Sequence, residues 1–168
     1  MLIAQPKGSQ FHVVDSFSKS VQLGTGLEKT GRLSRSSMQR TIHALRVCQL
    51  KLKQHGVTRM RLVATEACRR AANAREFIRQ VKREAGLQLE IIEPEEEARL
   101  AVISCAPLVS TKTEQLLVVD IGGGSTELVW IDLSSVPQRE RPRAIMRLHA
   151  GFHPAESPFA AGGQDCGN

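Results

Sequence analysis

The chain has 168 residues, 41% of them apolar and 24% charged. These are the values of a globular domain with a core, and they exclude wholesale disorder. A formal charge of +6 favours polyanionic partners such as nucleotides or polyphosphate without selecting among them, while one Trp, no Tyr and five Phe argue against nucleic-acid binding on stacked aromatic platforms.

The elements follow in order. Leu2-Ile3-Ala4 and the β-rich stretch 10–23 predict two or three paired strands joined at Pro6-Lys7-Gly8, and Gly24-Thr25-Gly26 breaks the pattern. Met38, Ile42, Leu45, Cys48 and Leu52 recur at helical spacing and predict a helix over 36–55, with Gly56 as its C′ residue. A short strand is expected over 60–65. Asn73 with Glu76 reads as a capping-box start to a helix carrying Phe77, Ile78, Val81 and Ala85 and stopping at Gly86. A strand over 87–92 leads into Glu93-Pro94-Glu95-Glu96-Glu97, where proline and acids suit a helix N-terminus. That helix carries Leu100, Val102 and Ile103 and ends before Pro107. Strands over 115–120 and 127–132 enclose a glycine turn. Strands alternating with helices imply an α/β layered sheet. Residues 134–168, rich in Pro, Gly, Arg and Ala, read as irregular or disordered.

The four cysteines (Cys48, Cys68, Cys105 and Cys166) stand far apart, which supports neither a disulfide scaffold nor a zinc site and fits reduced thiols in a cytoplasmic protein. The five histidines have no ligand-like spacing. There is no signal peptide, and no apolar run approaches the length of a membrane span.

Asp120-Ile121-Gly122-Gly123-Gly124-Ser125-Thr126-Glu127 is the most informative segment. The apolar run Leu116-Leu117-Val118-Val119 before it predicts a strand buried on both faces. Three glycines can bring bare N–H groups close to an anion, Ser125 and Thr126 add hydroxyls, and a carboxylate stands at each end. The order strand–turn–strand fits neither a P-loop nor a dinucleotide fingerprint, both of which open a helix. It reads as a phosphate-binding turn.

Residues 119–129 resemble the second phosphate motif of the exopolyphosphatase / guanosine pentaphosphate phosphohydrolase family, members of the actin-like ATPase superfamily with a ribonuclease H-like fold. Val63-Ala64-Thr65-Glu66-Ala67-Cys68-Arg69-Arg70-Ala71 resembles that family's phosphate-contacting arginine segment. Ile91-Ile92 through Glu96-Glu97-Ala98-Arg99-Leu100 resembles its E-E-A-R-L helix, and Val14-Asp15 and Leu23-Gly24-Thr25-Gly26-Leu27 fit its early strands. The similarity runs in one order over residues 2–132.

The resemblance implies a mixed α/β sheet with flanking helices, and a role for each matching residue. Glu97 would activate the water that attacks a terminal phosphoryl group. Asp120 and Glu127 would hold Mg²⁺, directly or through water. Gly122, Gly123, Gly124 and Ser125 would bind phosphate through backbone N–H groups, and Arg69 would pair with it. The substrate would be polyphosphate or guanosine pentaphosphate, between which the sequence does not choose. A binding module without turnover, and an actin-like ATPase or kinase, are the other readings.

The family's first phosphate loop, Asp-x-Gly-[Ser/Thr]-Asn, has no counterpart here, and residues 145–168 do not resemble the family. The expectation is therefore a partial phosphatase lobe over 1–133 with a tail over 134–168, weakly active or inactive by itself. Its open sheet edge would allow self-pairing as a homodimer.

Overall fold

β-Formers on both sides of a glycine close into a hairpin at the start of the chain. The structure, a computed structural model, describes residues 1–8, 10–122 and 126–146. β1 (Leu2–Lys7) pairs antiparallel with β2 (Gln10–Ser16). Ile3 lies opposite Asp15 and Ala4 opposite Val13, so Val14 is the extra residue of a bulge. The strand signal was expected to run on to residue 23, but β2 ends at Ser16, beyond which Phe17 exchanges two backbone bonds with Met1 (2.9 and 2.7 Å).

After the short α1 (Leu27–Thr30) comes α2 (Arg35–Gln54). Its N-cap Ser34 accepts a hydrogen bond from the Ser37 N–H, and Gly56 beyond its end has the positive φ of a C′ glycine. β3 (Val63–Ala64) and β4 (Glu90–Ile91) pair in parallel, joined through α3 (Glu66–Arg70) and α4 (Ala74–Ala85). Both strands are shorter than their sequence signals, since only two residues of each find a ladder partner. α5 (Pro94–Cys105) begins with proline in its first turn and precedes the hairpin of β5 (Gln115–Ile121) and β6 (Thr126–Asp132).

Contacts divide the chain into two units, residues 1–92 and 93–168. In the first, α2 and α4 pack on each other, and the core gathers Ile3, Ile42, Leu52, Phe77, Val81 and Leu89. In the second, Ala98 and Val102 of α5 pack with Val118, Val129, Ile131 and Ile145.

Three expectations need correction. Asn73 stands at the N-cap position of α4, but its side chain does not cap the helix. It accepts from the Leu33 N–H (2.8 Å) and donates to the Leu33 carbonyl (3.0 Å), holding the loop before α2 instead. β5 is covered on one face only: Val118 is buried while Leu117 and Val119 are half exposed, because the sheet has two strands and α5 packs on a single side. The stretch beyond residue 133 is not irregular throughout. A 3-10 turn (Gln138–Glu140) and α6 (Arg141–Met146) form there, and Ile145 is fully buried because it completes the α5 core. Residues 147–168 of the expected tail lie outside the described residues.

Candidate phosphate site

The β5–β6 register determines where the acidic ends of the glycine turn fall. Asp120 is the cross-strand partner of Glu127, and Ile121 of Thr126. Directly opposed residues in an antiparallel pair have Cα atoms about 4.5–5.5 Å apart and project from the same face. That face is the covered one, since Val118 and Val129 stand two residues away on each strand and are buried. Both carboxylates are half-buried.

Two like charges directly opposed destabilise a hairpin unless something offsets them. Among the described residues neither Asp120 nor Glu127 has an ion pair or a side-chain hydrogen bond. Asp132, at the other end of β6, differs. It accepts from the Ser134 N–H at 2.8 Å, and the Ser134 hydroxyl and N–H hold its carboxyl below the usual carboxylate range. The hairpin thus gives its distal acid local hydrogen-bond donors, and the two acids at the turn have none among the described residues.

Gly122 follows β5 and is exposed. Gly123, Gly124 and Ser125 lie outside the described residues. Glu97 stands in the first turn of α5, half-buried, its N–H bonded to the Glu93 carbonyl. Beside it, Arg99 grips Glu96 with two bonds of 2.6 and 2.9 Å. The next residue, Ala98, anchors the helix in the same core as Val118 and Val129. The second unit therefore carries Glu97, Asp120, Glu127 and Gly122 on elements that share one core.

Arg69 belongs to the first unit, at the end of α3. Its side chain is only 12% exposed, which rules out a loose surface arginine. One nitrogen donates to the Ile92 carbonyl at 2.6 Å and another reaches Glu66 at 3.3 Å. Its neighbour Arg70 is 47% exposed and pairs with Glu66 and Glu28.

Other chemistry finds less support. Cys48, Cys68 and Cys105 are free thiols. Burial pushes Cys68 up to about 11, so it stays protonated and unreactive at neutral pH. Among the described residues no group of three His, Cys, Asp or Glu side chains converges as a metal site, and no helix is long and apolar enough to cross a membrane. A cavity of about 440 Å³ in the first unit lies against Met1, Ile3, Leu52, Met60, Leu62 and Leu89. Arg59 and Arg61 also line it, and none of the residues predicted for phosphate chemistry does.

One acid was underestimated in the sequence. Asp15 accepts from Lys51 (2.7 Å), His55 (3.0 Å) and the Ser16 N–H (2.7 Å), tying β2 to α2. The Lys51 bond above all holds its carboxyl below the usual range, against a smaller opposing effect of burial. The only local signal was Lys51 on α2 and His55 at its C-cap, four residues apart. Their partner lies 36 and 40 residues upstream.

Small sheets with helices packed on them, one sheet ending in an acid-flanked glycine turn, place the chain among mixed α/β proteins of the actin-like ATPase fold, of which it holds a part. Residues 2–151 match the Ppx/GppA phosphatase family, and the chain belongs to that family. Among solved structures it is similar to the Aquifex aeolicus Ppx/GppA family member, with 42% identity, a TM-score of 0.66 and 78% of this chain covering 42% of that one. An exopolyphosphatase-like protein matches with 33% identity and a TM-score of 0.74, over 82% of this chain and 43% of that one. An exopolyphosphatase from Cytophaga hutchinsonii matches with 27% identity and a TM-score of 0.73, over 78% and 42%. The chain spans less than half the length of these relatives.

Proposed function

We propose that the chain forms part of a hydrolase that removes terminal phosphoryl groups from polyphosphate or guanosine pentaphosphate. The observation that carries this reading is the pair Asp120 and Glu127, opposed across the hairpin at the ends of the glycine segment. Two hard oxygen donors suit Mg²⁺, which takes one or two carboxylates and fills its remaining positions with water and phosphate oxygens. When bound there, the ion would neutralise charge on the phosphate oxygens.

The chain's own residues account for the rest. Backbone N–H groups of residues 122–125 orient the terminal phosphate. Arg69 is held by Ile92 and Glu66, so its guanidinium meets an anion without first losing side-chain freedom. Glu97 takes a proton from the attacking water as the new P–O bond forms. The bridging P–O bond breaks, and the products are orthophosphate and a substrate shorter by one phosphoryl unit. Positioning and charge neutralisation dominate such transfers.

The test grafts residues 2–132 into the Aquifex aeolicus family member in place of the matching segment and follows phosphate release in Mg²⁺. The graft should hydrolyse one of the two substrates, and Glu97→Gln should slow it on the order of 10²–10⁴-fold. Asp120→Asn should raise the Mg²⁺ concentration needed. Equal rates with Glu97→Gln would remove that residue's role, and no release from either substrate by the unaltered graft would overturn the hydrolase reading.

A further inference from the structure

Charge is divided sharply along the chain. Residues 1–92 carry 17 Lys and Arg against six Asp and Glu, while residues 93–168 carry six against 11. Four of the first unit's cations lie on the 12 residues of α4. Phe77, Val81 and Ala85 turn one face of this helix into the core, and Arg75, Arg79, Lys82 and Arg83 lie exposed on the other, with Glu76 the one exposed acid among them. Arg75, Arg79 and Lys82 follow one another at i, i+4 and i+7, spanning about 10 Å along the axis at 1.5 Å per residue. Among the described residues none of these three has a carboxylate partner.

The flank toward α2 extends the same surface. Glu84 is the acid there, and it is shared: Arg46 of α2 reaches it at 3.0 Å and Arg83 at 3.5 Å, with Gln80 donating at 2.8 Å. One carboxylate between two guanidiniums leaves the flank positive. Paired surface charges contribute little to folding and unpaired like charges oppose it. The row of cations on α4, offset only by Glu76, therefore contributes little to folding.

We propose that the outer face of α4, with Arg46 of α2, binds the length of a polyphosphate chain outside the catalytic site; the choice of ligand rests on the reading given above. Two observations favour polyphosphate over a nucleic acid. The face presents no Phe, Tyr or Trp ring, since the only such residue of α2 and α4 is the fully buried Phe77; the one exposed ring on these two helices is the His43 imidazole of α2. It thus offers charge without a stacking platform, which suits a chain of phosphates without bases. Its cations also recur at three- and four-residue intervals along one helix, so a linear anion can meet them in succession.

The experiment measures binding of the 168-residue chain to fluorescently labelled long-chain polyphosphate, to inorganic triphosphate and to oligothymidylate, over a range of salt. Charge reversal by R75E/R79E/K82E should weaken long-chain binding on the order of 10–100-fold, with the log–log salt slope less steep by about one per cation removed. R75K/R79K should retain binding, and triphosphate affinity should be unchanged in both variants. Because all three positions are solvent-exposed, thermal melting monitored by circular dichroism should match the parent. Unchanged long-chain affinity in the charge-reversed protein would overturn the proposal. So would equal or tighter binding of oligothymidylate that displaces polyphosphate, which would assign the face to nucleic acid. Long-chain binding lost on charge reversal, in a protein whose graft hydrolyses nothing, would overturn the hydrolase reading and leave this surface standing.

Discussion

In residues 1–92, two helices pack on each other and seal Phe77, Val81 and Ile42 almost completely from solvent. In residues 93–146, α5 and the short α6 cover one face of a hairpin and leave Leu117, Val119 and Trp130 half exposed on the other. The difference follows from the elements themselves. A helix has one apolar stripe to bury, and a partner helix buries it; a sheet has two faces and needs a layer on each. The first unit therefore has the more closed core and carries the excess positive charge. The second carries the opposed carboxylates Asp120 and Glu127 at the end of a half-covered hairpin.

The sharpest way to break the contrast is to empty the centre of the first core. Phe77→Ala should cost about 3–5 kcal/mol, read as a lower urea midpoint for the helical circular dichroism signal. Trp130, the single tryptophan, reports the second unit. Its fluorescence transition should stay in place, and a matching shift in both signals would show that the two cores unfold as one.

A somewhat smaller loss tests the second core. Ile145 is fully exposed to α5 and the hairpin and not at all to water. Ile145→Ala should cost about 2–5 kcal/mol on the Trp130 transition. A loss well below about 1 kcal/mol would detach α6 from that core and restore the irregular tail expected from composition.

That expectation shows what was legible and why. α2, α4 and α5 could be read directly, because apolar periodicity, a C′ glycine or an N-terminal proline are local signals. The strands flanking the glycine segment were equally legible, since their apolar runs are contiguous. What escaped depends on distant partners. β3 and β4 shrink to two residues because ladder pairing, not β propensity, determines their length. α6 owes its place to Ile145 meeting α5, and Arg141 there is held by the Val136 and Thr111 carbonyls. Asp120 facing Glu127 requires the register, while the burial of Arg69 requires Ile92, 23 residues away. Glu97 stood out by family resemblance alone, for its first-turn position equally suits an acid that only offsets the helix dipole.

Asn73 sharpens the comparison at the level of single polar groups. Each unit locks a loop with one buried polar side chain on backbone atoms: Asn73 on Leu33 in the first, Arg141 on Val136 and Thr111 in the second. Asn73→Ala should cost about 1–3 kcal/mol, because it strands a buried N–H and a buried carbonyl. Asn73→Asp separates this role from capping. A helix N-cap accepts Asp as readily as Asn, but here a carboxylate would face the Leu33 carbonyl. Parent-like stability of the Asp variant would return Asn73 to the capping role.

The smallest effect is a dependence on pH and salt that differs between the units. Asp15 and Asp132 both titrate below the ordinary carboxylate value when folded. Each therefore adds stability above the unfolded value of about 3.9, and loses it as pH falls through its lower folded value. Asp15→Asn should flatten the acid limb of the first unit's transition, and Asp132→Asn that of the second. The causes then part. Asp15 depends chiefly on a bond to the Lys51 ammonium, with His55 beside it, whereas Asp132 depends on the uncharged Ser134 hydroxyl and N–H. Raising salt to about 1 M shortens the screening length to about 3 Å. It should shrink the difference between the parent and Asp15→Asn while leaving that for Asp132→Asn nearly intact. Equal salt sensitivity in the two would mean that Lys51 does not engage Asp15 as an ion, and that both acids are held by local donors alone.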